Sequence, residues 1–125
     1  MATWDDVTRI AAELPEVEIR GRHDWQVKGK SFAWERPLRK RDLEELGDTA
    51  PEPPILAVWV PDKLAKDAMV KAEPEVFFTT SHFDGYAIVL IRLSEIPVEE
   101  LEEALVEAWL TRAPKTLAKK FLEAP

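Results

Sequence analysis

The stretch Pro74–Leu93, PEVFFTTSHFDGYAIVLIRL, decides the fold of this chain because two apolar, β-prone runs flank a polar turn. Asp84-Gly85 lies at the centre of that turn, and an Asp-Gly pair between such runs is the strongest short-range signal for a β-hairpin. The turn also concentrates polar side chains, namely Thr79, Thr80, Ser81, His82, Asp84 and Tyr86. We therefore predict two antiparallel strands joined by a polar turn that runs from Thr79 to Tyr86, with Gly85 at positive φ.

Four further strands are predicted upstream of the hairpin, at Val17–Arg20, Trp25–Val27, Ser31–Glu35 and Ile55–Val60. In the third of these runs Phe32 and Trp34 alternate with smaller or polar residues, which is typical of a half-buried strand. The proline-rich segment Pro37–Pro54 is predicted to be a surface loop that contains one or two helical turns at most.

Four helices are predicted around these strands. The first begins at a capping box formed by Thr3 and Asp6 and ends before Pro15. The second follows Pro61-Asp62, with a core stripe of Leu64, Ala65, Ala68 and Met69. The third starts at Pro97, with Val98, Leu101, Leu105, Ala108, Trp109 and Arg112 inward, and Lys115–Leu122 forms a short final helix. Because the strands cluster in consecutive runs, we expect an α+β fold in two layers, an antiparallel sheet of five to six strands with helices packed on one face.

Length and composition exclude several classes of protein. The 125 residues fit one domain, residues 1–125, and the chain contains no cysteine. Disulfide scaffolds, thiolate zinc sites and cysteine nucleophiles are therefore excluded, and a reducing cytoplasm is the expected compartment. No apolar run is long enough to cross a membrane, and the N-terminus lacks the pattern of a signal peptide.

Charge is distributed unevenly along the chain, whose net charge is −7. The segment Arg20–Arg41 carries +6, from two acidic residues and eight basic ones: Arg20, Arg22, Lys28, Lys30, Arg36, Arg39, Lys40 and Arg41. Such asymmetry indicates an anionic partner at one face, since local potential steers encounters more than total charge does. A solvated, charge-balanced hairpin is the alternative interpretation.

No pattern in the sequence supports a catalytic or metal site. Gly29-Lys30-Ser31 matches the end of a phosphate-binding loop. That motif also requires a glycine at position 24, where this chain has Asp24, and it requires a helix after the loop, where this sequence predicts a strand. His82 and Asp84 lack a third convergent ligand, so we expect His82 to hydrogen-bond within its turn and Asp84 to serve turn geometry. We predict no catalytic residue, no metal and no cofactor.

Five tryptophans occur in the chain. Trp34 and Trp109 are predicted to be core residues, and Trp4 to hold the first helix against the sheet. The sequence does not decide whether Trp25 and Trp59 are buried or exposed. Exposed aromatic rings beside Lys and Arg can stack on bases, but tryptophan is mostly buried on average.

Several short motifs occur together in one order: Leu14-Pro15-Glu16-Val17, Val27–Ala33, the helix ending at Pro74, Phe77–Thr80, His82–Tyr86, Ala108-Trp109 and Arg112–Lys115. This series resembles the MmcQ/YjbR family, small bacterial α+β proteins usually described as candidate DNA-binding proteins. The resemblance covers nearly the whole chain and implies a two-layer fold similar to secretion chaperones and to a DNA-binding double-wing domain. It also marks Thr79, Thr80, His82, Asp84, Gly85 and Tyr86 as the family-motif turn, with Ser81 where a proline is expected.

From the resemblance and the basic segment together we expect a non-enzymatic cytoplasmic binding domain that holds duplex DNA weakly and without sequence preference. No basic recognition helix is visible, so base-specific readout is not expected. A protein–protein adaptor, favoured by an exposed apolar patch, is the alternative. An enzyme would require a deep pocket with perturbed titrating groups near His82.

Overall fold

A computed structural model describes residues 2–123 of the chain and contains one antiparallel sheet of six strands. The strands are β1 (Val17–Arg20), β2 (Asp24–Val27), β3 (Lys30–Glu35), β4 (Ile55–Trp59), β5 (Phe77–Phe78) and β6 (Ile88–Arg92), and their order in the sheet is β1-β2-β3-β4-β6-β5. The helices are α1 (Trp4–Ala12), α2 (Lys40–Leu46), α3 (Lys63–Ala72), α4 (Val98–Arg112) and α5 (Lys115–Glu123). The predicted α+β fold with an antiparallel sheet is confirmed.

Local sequence signals place the helix ends. Thr3 and Asp6 form the predicted capping box, in which the Thr3 backbone N–H donates to the Asp6 carboxylate at 2.9 Å. Asp62 caps α3 by accepting from the backbone N–H of Ala65 at 2.8 Å. At the far end of α4, Ala113 is extended (ψ 148°), as a residue that precedes proline prefers.

The main core lies between the sheet and α1, α3, α4 and α5. Leu56 and Val58 from β4, and Val89 and Ile91 from β6, point to this helix-side face. Trp109 is fully buried there and donates its indole N–H to the carbonyl of Pro15 at 3.0 Å, which joins α4 to the end of α1. The prediction that Trp109 is a core residue is confirmed.

A smaller apolar cluster lies on the opposite face of the sheet, which we call the outer face. Ile55 and Ala57 of β4, Ile88 and Leu90 of β6, and Phe78 of β5 form it together with Phe83. Leu46 of α2 packs against this cluster, so α2 is the one described helix that lies on the outer face. The outer face of β1, β2 and β3 has no such cover within residues 2–123.

The prediction for Trp34 needs correction, and the structure decides the burial of Trp25, which the sequence left open. Trp34, predicted to be core, is half-buried at the margin of the outer cluster. Trp25, left open, is fully buried in the main core. The β-bulge between Trp25 and Gln26 explains part of this placement, because it shifts the β2–β3 register and keeps Trp25 opposite Ala33 on the helix side.

The hairpin prediction is confirmed for its two strands and for the position of its turn. β5 pairs with β6 through Phe77–Ile91 and Phe78–Leu90, and the connection is segment 79–87, which contains a 3-10 turn at Ser81–Phe83. Gly85 has the expected positive φ, at 101°. The apolar ring of Phe83, which lies within this segment, is buried.

The stripe predicted on α3 is also wrong. Leu64 is 80% exposed and Ala68 is exposed, whereas Lys66 is 94% buried. The reason is a pair of charge-assisted hydrogen bonds, since the Lys66 ammonium donates to the carbonyls of Phe83 at 2.8 Å and Tyr86 at 2.9 Å. Ala65 and Met69 remain half-buried, so the helix is rotated toward segment 79–87.

Candidate nucleic-acid interface

An open concavity of about 760 Å³ lies on the uncovered part of the outer face. Its floor is the polar side of β2 and β3, and its walls come from the β1–β2 turn, the β2–β3 turn, the end of β4 and the end of α4. We call this surface the concavity. Its lining residues are Arg20, Arg22, His23, Asp24, Gly29, Lys30, Ser31, Trp34, Glu35, Pro37, Trp59 and Arg112.

The strand register brings two tryptophans to the concavity. Trp34 pairs with Ala57, which is two residues before Trp59 on the neighbouring strand, so both rings point to the outer face. Each ring is half-buried. Arg112, at the end of α4, lies with its guanidinium carbon 4.3 Å from the centroid of the Trp59 ring, which is a cation–π contact.

Four cations line the concavity: Arg20, Arg22, Lys30 and Arg112. None of them makes a side-chain hydrogen bond or an ion pair with another residue in the range 2–123. The Nε of Arg112 is buried from solvent and also lacks a hydrogen-bond partner within that range. Arg20, Arg22 and Lys30 are also exposed and therefore available to an anionic ligand, whereas Arg112 is half-buried against Trp59.

The two carboxylates of the concavity are already engaged. Asp24 accepts from the Ser31 hydroxyl at 2.7 Å and from the Gln26 amide at 2.9 Å. Glu35 lies 2.7 Å from Nδ1 of His23, whose ring stacks against both Trp4 and Trp25 with centroid separations of 4.3 and 5.6 Å. Because these partners hold both carboxylates, the excess of positive charge in the concavity is not cancelled by direct ion pairs to its arginines or lysine.

The structure brings together only three of the eight basic residues predicted to form one face. Arg20, Arg22 and Lys30 line the concavity, while Lys28 pairs with Glu16 at 3.1 Å. Arg39, Lys40 and Arg41 are exposed around the start of α2 and do not line the concavity.

Arg36 is not a surface residue, and its assignment to the basic face is wrong. The residue is 94% buried, its guanidinium lies 3.1 Å from the carboxylate of Asp42 and donates to the carbonyl of Pro37. Burial alone would raise the pKa of Asp42, but the backbone N–H of Arg39 and the charge of Arg36 outweigh it and lower that pKa. Arg36 therefore fixes α2 to the sheet and cannot reach a phosphate.

The family-motif turn does not form a site with the basic residues. Thr80 is buried, whereas His82, Asp84, Gly85 and Tyr86 are exposed. Ser81 binds α2, since its backbone N–H and hydroxyl both donate to the Glu45 carboxylate, at 3.0 and 2.6 Å. The hydroxyl of Thr79 lies 3.4 Å from the carbonyl of Thr80.

The role predicted for His82 is wrong. Its imidazole packs edge-on against Phe83 with a centroid separation of 4.8 Å, and it makes no hydrogen bond to any other residue between 2 and 123. Lys66 instead anchors this turn, which sequence reasoning missed because it placed Leu64 inward. Burial lowers the pKa of Lys66 despite the nearby carboxylates of Asp84 and Asp67. Over the described part of the chain, no three His, Cys, Asp or Glu side chains are grouped as a metal site.

Arg112 and Trp59 are the functional candidates that sequence reasoning did not assign. Arg112 was placed on the inward stripe of α4, and no local signal reveals that its side chain meets a ring from a strand more than fifty positions earlier in the chain. The one sequence feature that could have drawn attention to Arg112 is its position at the end of the helix, directly before Ala113-Pro114.

Residues 12–111 of this chain match the YjbR family model, described as YjbR. The chain belongs to the YjbR family. Two relatives described as uncharacterized proteins, Rv2570 of Mycobacterium tuberculosis and Mb2600 of Mycobacterium bovis, are each 54% identical to this YjbR chain over 125 residues, covering 98% of it and 97% of their own length. The resemblance drawn from the motifs is thus confirmed.

A solved structure resembles this YjbR chain over its whole length. The crystal structure of Deinococcus radiodurans protein DR2400, described as a DUF419 domain, superposes with a TM-score of 0.67 and 21% identity, covering 100% of this chain and 91% of that one. At this identity the match establishes the fold alone. None of the described helices is long and apolar enough to cross a membrane.

Proposed function

We propose that this YjbR chain is a non-enzymatic, cytoplasmic nucleic-acid-binding domain that uses the concavity. The observation that carries the proposal is the arrangement of four cations, Arg20, Arg22, Lys30 and Arg112, around two half-buried tryptophans, with no ion pair to any of the four among residues 2–123. Cations that neutralise phosphates supply affinity that is independent of sequence. Aromatic rings and arginine planes supply stacking surfaces for bases.

The sequence alone predicts duplex DNA as the ligand. The two tryptophans of the concavity favour single-stranded DNA instead, which is also a nucleic acid. A duplex presents phosphates but hides the faces of its bases, so it can use only the cations of the concavity. A single strand can use the cations and also stack unpaired bases on Trp34 or on the guanidinium that covers Trp59. We therefore propose weak binding to both forms, with single-stranded DNA bound more tightly.

Two features support a binding role over catalysis. The concavity is open rather than deep, and its titratable side chains Asp24, His23 and Glu35 are already held by neighbours. The exposed His82 lies in segment 79–87, away from the lining of the concavity, with no catalytic partner bonded to it among the described residues.

The test is a fluorescence anisotropy titration with a labelled oligothymidine of about 20 nucleotides and a duplex of the same length, at low and moderate salt. If all four cations contact phosphates of the single strand, the slope of log K against log salt approaches about −3. Absence of binding at tens of micromolar protein in low salt would remove the proposal.

Matched variants separate the concavity from general attraction. We expect Arg20→Ala with Arg22→Ala to lower affinity for both ligands and to reduce the salt slope by about 1.4. Arg39→Ala with Lys40→Ala removes the same charge from exposed positions outside the concavity, and it should change affinity by less than about twofold. Equal losses in the two pairs would contradict a site in the concavity.

A third variant tests the stacking. Trp34→Leu keeps an apolar side chain at the margin of the outer cluster and removes the ring. We expect it to weaken the single strand by about fivefold or more, because one base–aromatic stack contributes about 1–3 kcal/mol, and to leave the duplex unchanged. An unchanged affinity for the single strand in a variant of unchanged melting temperature would contradict the preference for unpaired bases.

A further inference from the structure

A second depression lies on the helix side of the molecule, between α3 and α4. It has a volume of about 390 Å³ and is lined by Val60, Pro61, Ala65, Met69, Glu73, Phe77, Glu100, Glu103, Ala104 and Glu107. We call it the acidic groove. Its floor is apolar and comes from the end of β4, from α3, from β5 and from α4, while every charged residue in its lining is a glutamate.

The carboxylates of the acidic groove repel one another. Burial, reinforced by a hydrogen bond to Glu73 and by the charges of Glu73, Glu103 and Glu75, raises the pKa of Glu100 to about 7. One carboxylate oxygen of Glu100, Oε2, is buried and has no hydrogen-bond partner among residues 2–123. Neither Lys nor Arg lines the groove to offset this charge. A cationic group that entered the groove would relieve the repulsion among these glutamates.

We propose that the acidic groove is a docking site for a partner protein segment that is helical and amphipathic, with bulky apolar side chains flanked by Lys or Arg. The apolar floor fits side chains of the kind that anchor a helix in a groove. The ring of glutamates complements the flanking cations and selects against acidic segments. The groove and the concavity have no lining residue in common, so this role is independent of nucleic-acid binding.

The volume of the groove limits what it accommodates. About 390 Å³ is space for two or three apolar side chains, which is less than a stable protein–protein interface needs by itself. The partner segment therefore uses its charged flanks as well, and the interaction is transient and sensitive to salt.

The test uses three labelled helical peptides of about 15 residues, long enough to form a marginally stable helix: one of Leu and Lys, one of Ser and Lys, and one of Leu and Glu. Fluorescence anisotropy at low salt should show micromolar binding of the Leu/Lys peptide only. Equal binding of the Ser/Lys peptide would overturn the proposal, because it would show attraction by charge without use of the apolar floor.

A matched pair of double variants on α4 locates the binding. Glu103→Gln with Glu107→Gln removes two charges from the groove, whereas Glu99→Gln with Glu102→Gln removes two charges from the same helix outside it. We expect the first pair to weaken the Leu/Lys peptide by about fivefold or more, which corresponds to about 1 kcal/mol, and the second by less than about twofold. Equal losses, or no binding of the Leu/Lys peptide at about 100 μM, would overturn the proposal.

Two further measurements guard against other occupants and against misfolding. Met69→Gln keeps the length of the side chain and removes its apolar end, so it should weaken the Leu/Lys peptide while the far-UV circular dichroism stays unchanged. A dimer seen by sedimentation equilibrium in the wild type and lost in Glu103→Gln with Glu107→Gln would assign the groove to a second copy of this chain, and would overturn the partner proposal.

Discussion

The outer face of the sheet has two halves that use arginine in opposite ways. Over β4, β5 and β6 it is covered by α2 and segment 79–87, and Arg36 lies in the interior of that cover as the partner of Asp42. Over β1, β2 and β3 the face is open, and Arg20 and Arg22 have no partner within residues 2–123. Position along one short basic segment therefore does not tell whether an arginine stabilises the fold or is free to bind a ligand.

The cause of the difference is the presence of an acidic side chain that can be buried with the cation. Asp42 is the third residue of α2, where it accepts from the Arg39 backbone N–H at 2.8 Å and also faces Arg36. The acidic neighbours in the open half, Asp24 and Glu35, are taken by Ser31, Gln26 and His23. The arginines of the open half are left to solvent because no carboxylate pairs with them within residues 2–123.

The largest effect on stability is expected from a substitution in the covered half of the outer face. Arg36→Ala leaves the buried Asp42 carboxylate without its cation, and we expect a loss of about 3–5 kcal/mol in the free energy of unfolding, measured by urea denaturation. Arg22→Ala, on the open half, should change it by less than about 0.5 kcal/mol. A small effect of Arg36→Ala would show that the two halves do not differ as described.

The loss of stability caused by Arg36→Ala should also become smaller as the pH is lowered. The native pKa of Asp42 is lowered, so its pairing with Arg36 stabilises the protein above the unfolded pKa of 3.8, and this contribution is lost as pH falls through the native pKa. The difference in stability between the wild type and Arg36→Ala should therefore be full at pH 7 and shrink below about pH 4.

A smaller effect is expected at Gly85, in the segment that covers the same half. Its φ is 101°, and a Cβ added there would meet no atom within 4 Å, so any loss of stability reports backbone strain and not a clash. We expect Gly85→Ala to cost about 1 kcal/mol and Gly85→Val somewhat more. An unchanged urea midpoint for both variants would show that the turn does not require positive φ.

The smallest expected effect is at His82, which lies on the surface of the cover. The imidazole contacts the edge of Phe83 and makes no hydrogen bond to the rest of the described chain. We therefore expect His82→Ala to lower stability by less than about 0.5 kcal/mol, measured from the urea midpoint. Added zinc should leave the melting temperature unchanged, and a rise that His82→Ala abolishes would assign this turn to a metal site.

The elements of the fold were predictable because local signals carry them. Thr3 with Asp6, Asp62, the residue before Pro114 and the alternation around Phe32 each fix an end or a face of an element without help from distant residues. The paired runs of the hairpin were likewise predictable, because apolar β-prone strands on both sides of a turn have few alternatives.

The errors arose where burial depends on a partner far along the chain. Lys66 is buried because its ammonium donates hydrogen bonds to two carbonyls of segment 79–87. Arg36 is buried because α2 places the carboxylate of Asp42 beside its guanidinium. For the candidate site, Arg20, Arg22 and Lys30 were found by counting charges, but the counting could not separate them from Arg36. Arg112 and Trp59 meet only in three dimensions, so their contribution was not predictable from the sequence.

The strand order has a consequence for aggregation, because an open sheet leaves β1 and β5 at its edges. An exposed edge strand is a template on which another chain can add a strand. β5 is only two residues long, and Lys66 fastens the segment that follows it. β1 alternates charged side chains at Glu18 and Arg20 with a single exposed isoleucine at Ile19. One edge is thus too short and the other too charged to recruit a further strand, which protects an apolar six-stranded sheet from growing into a fibre.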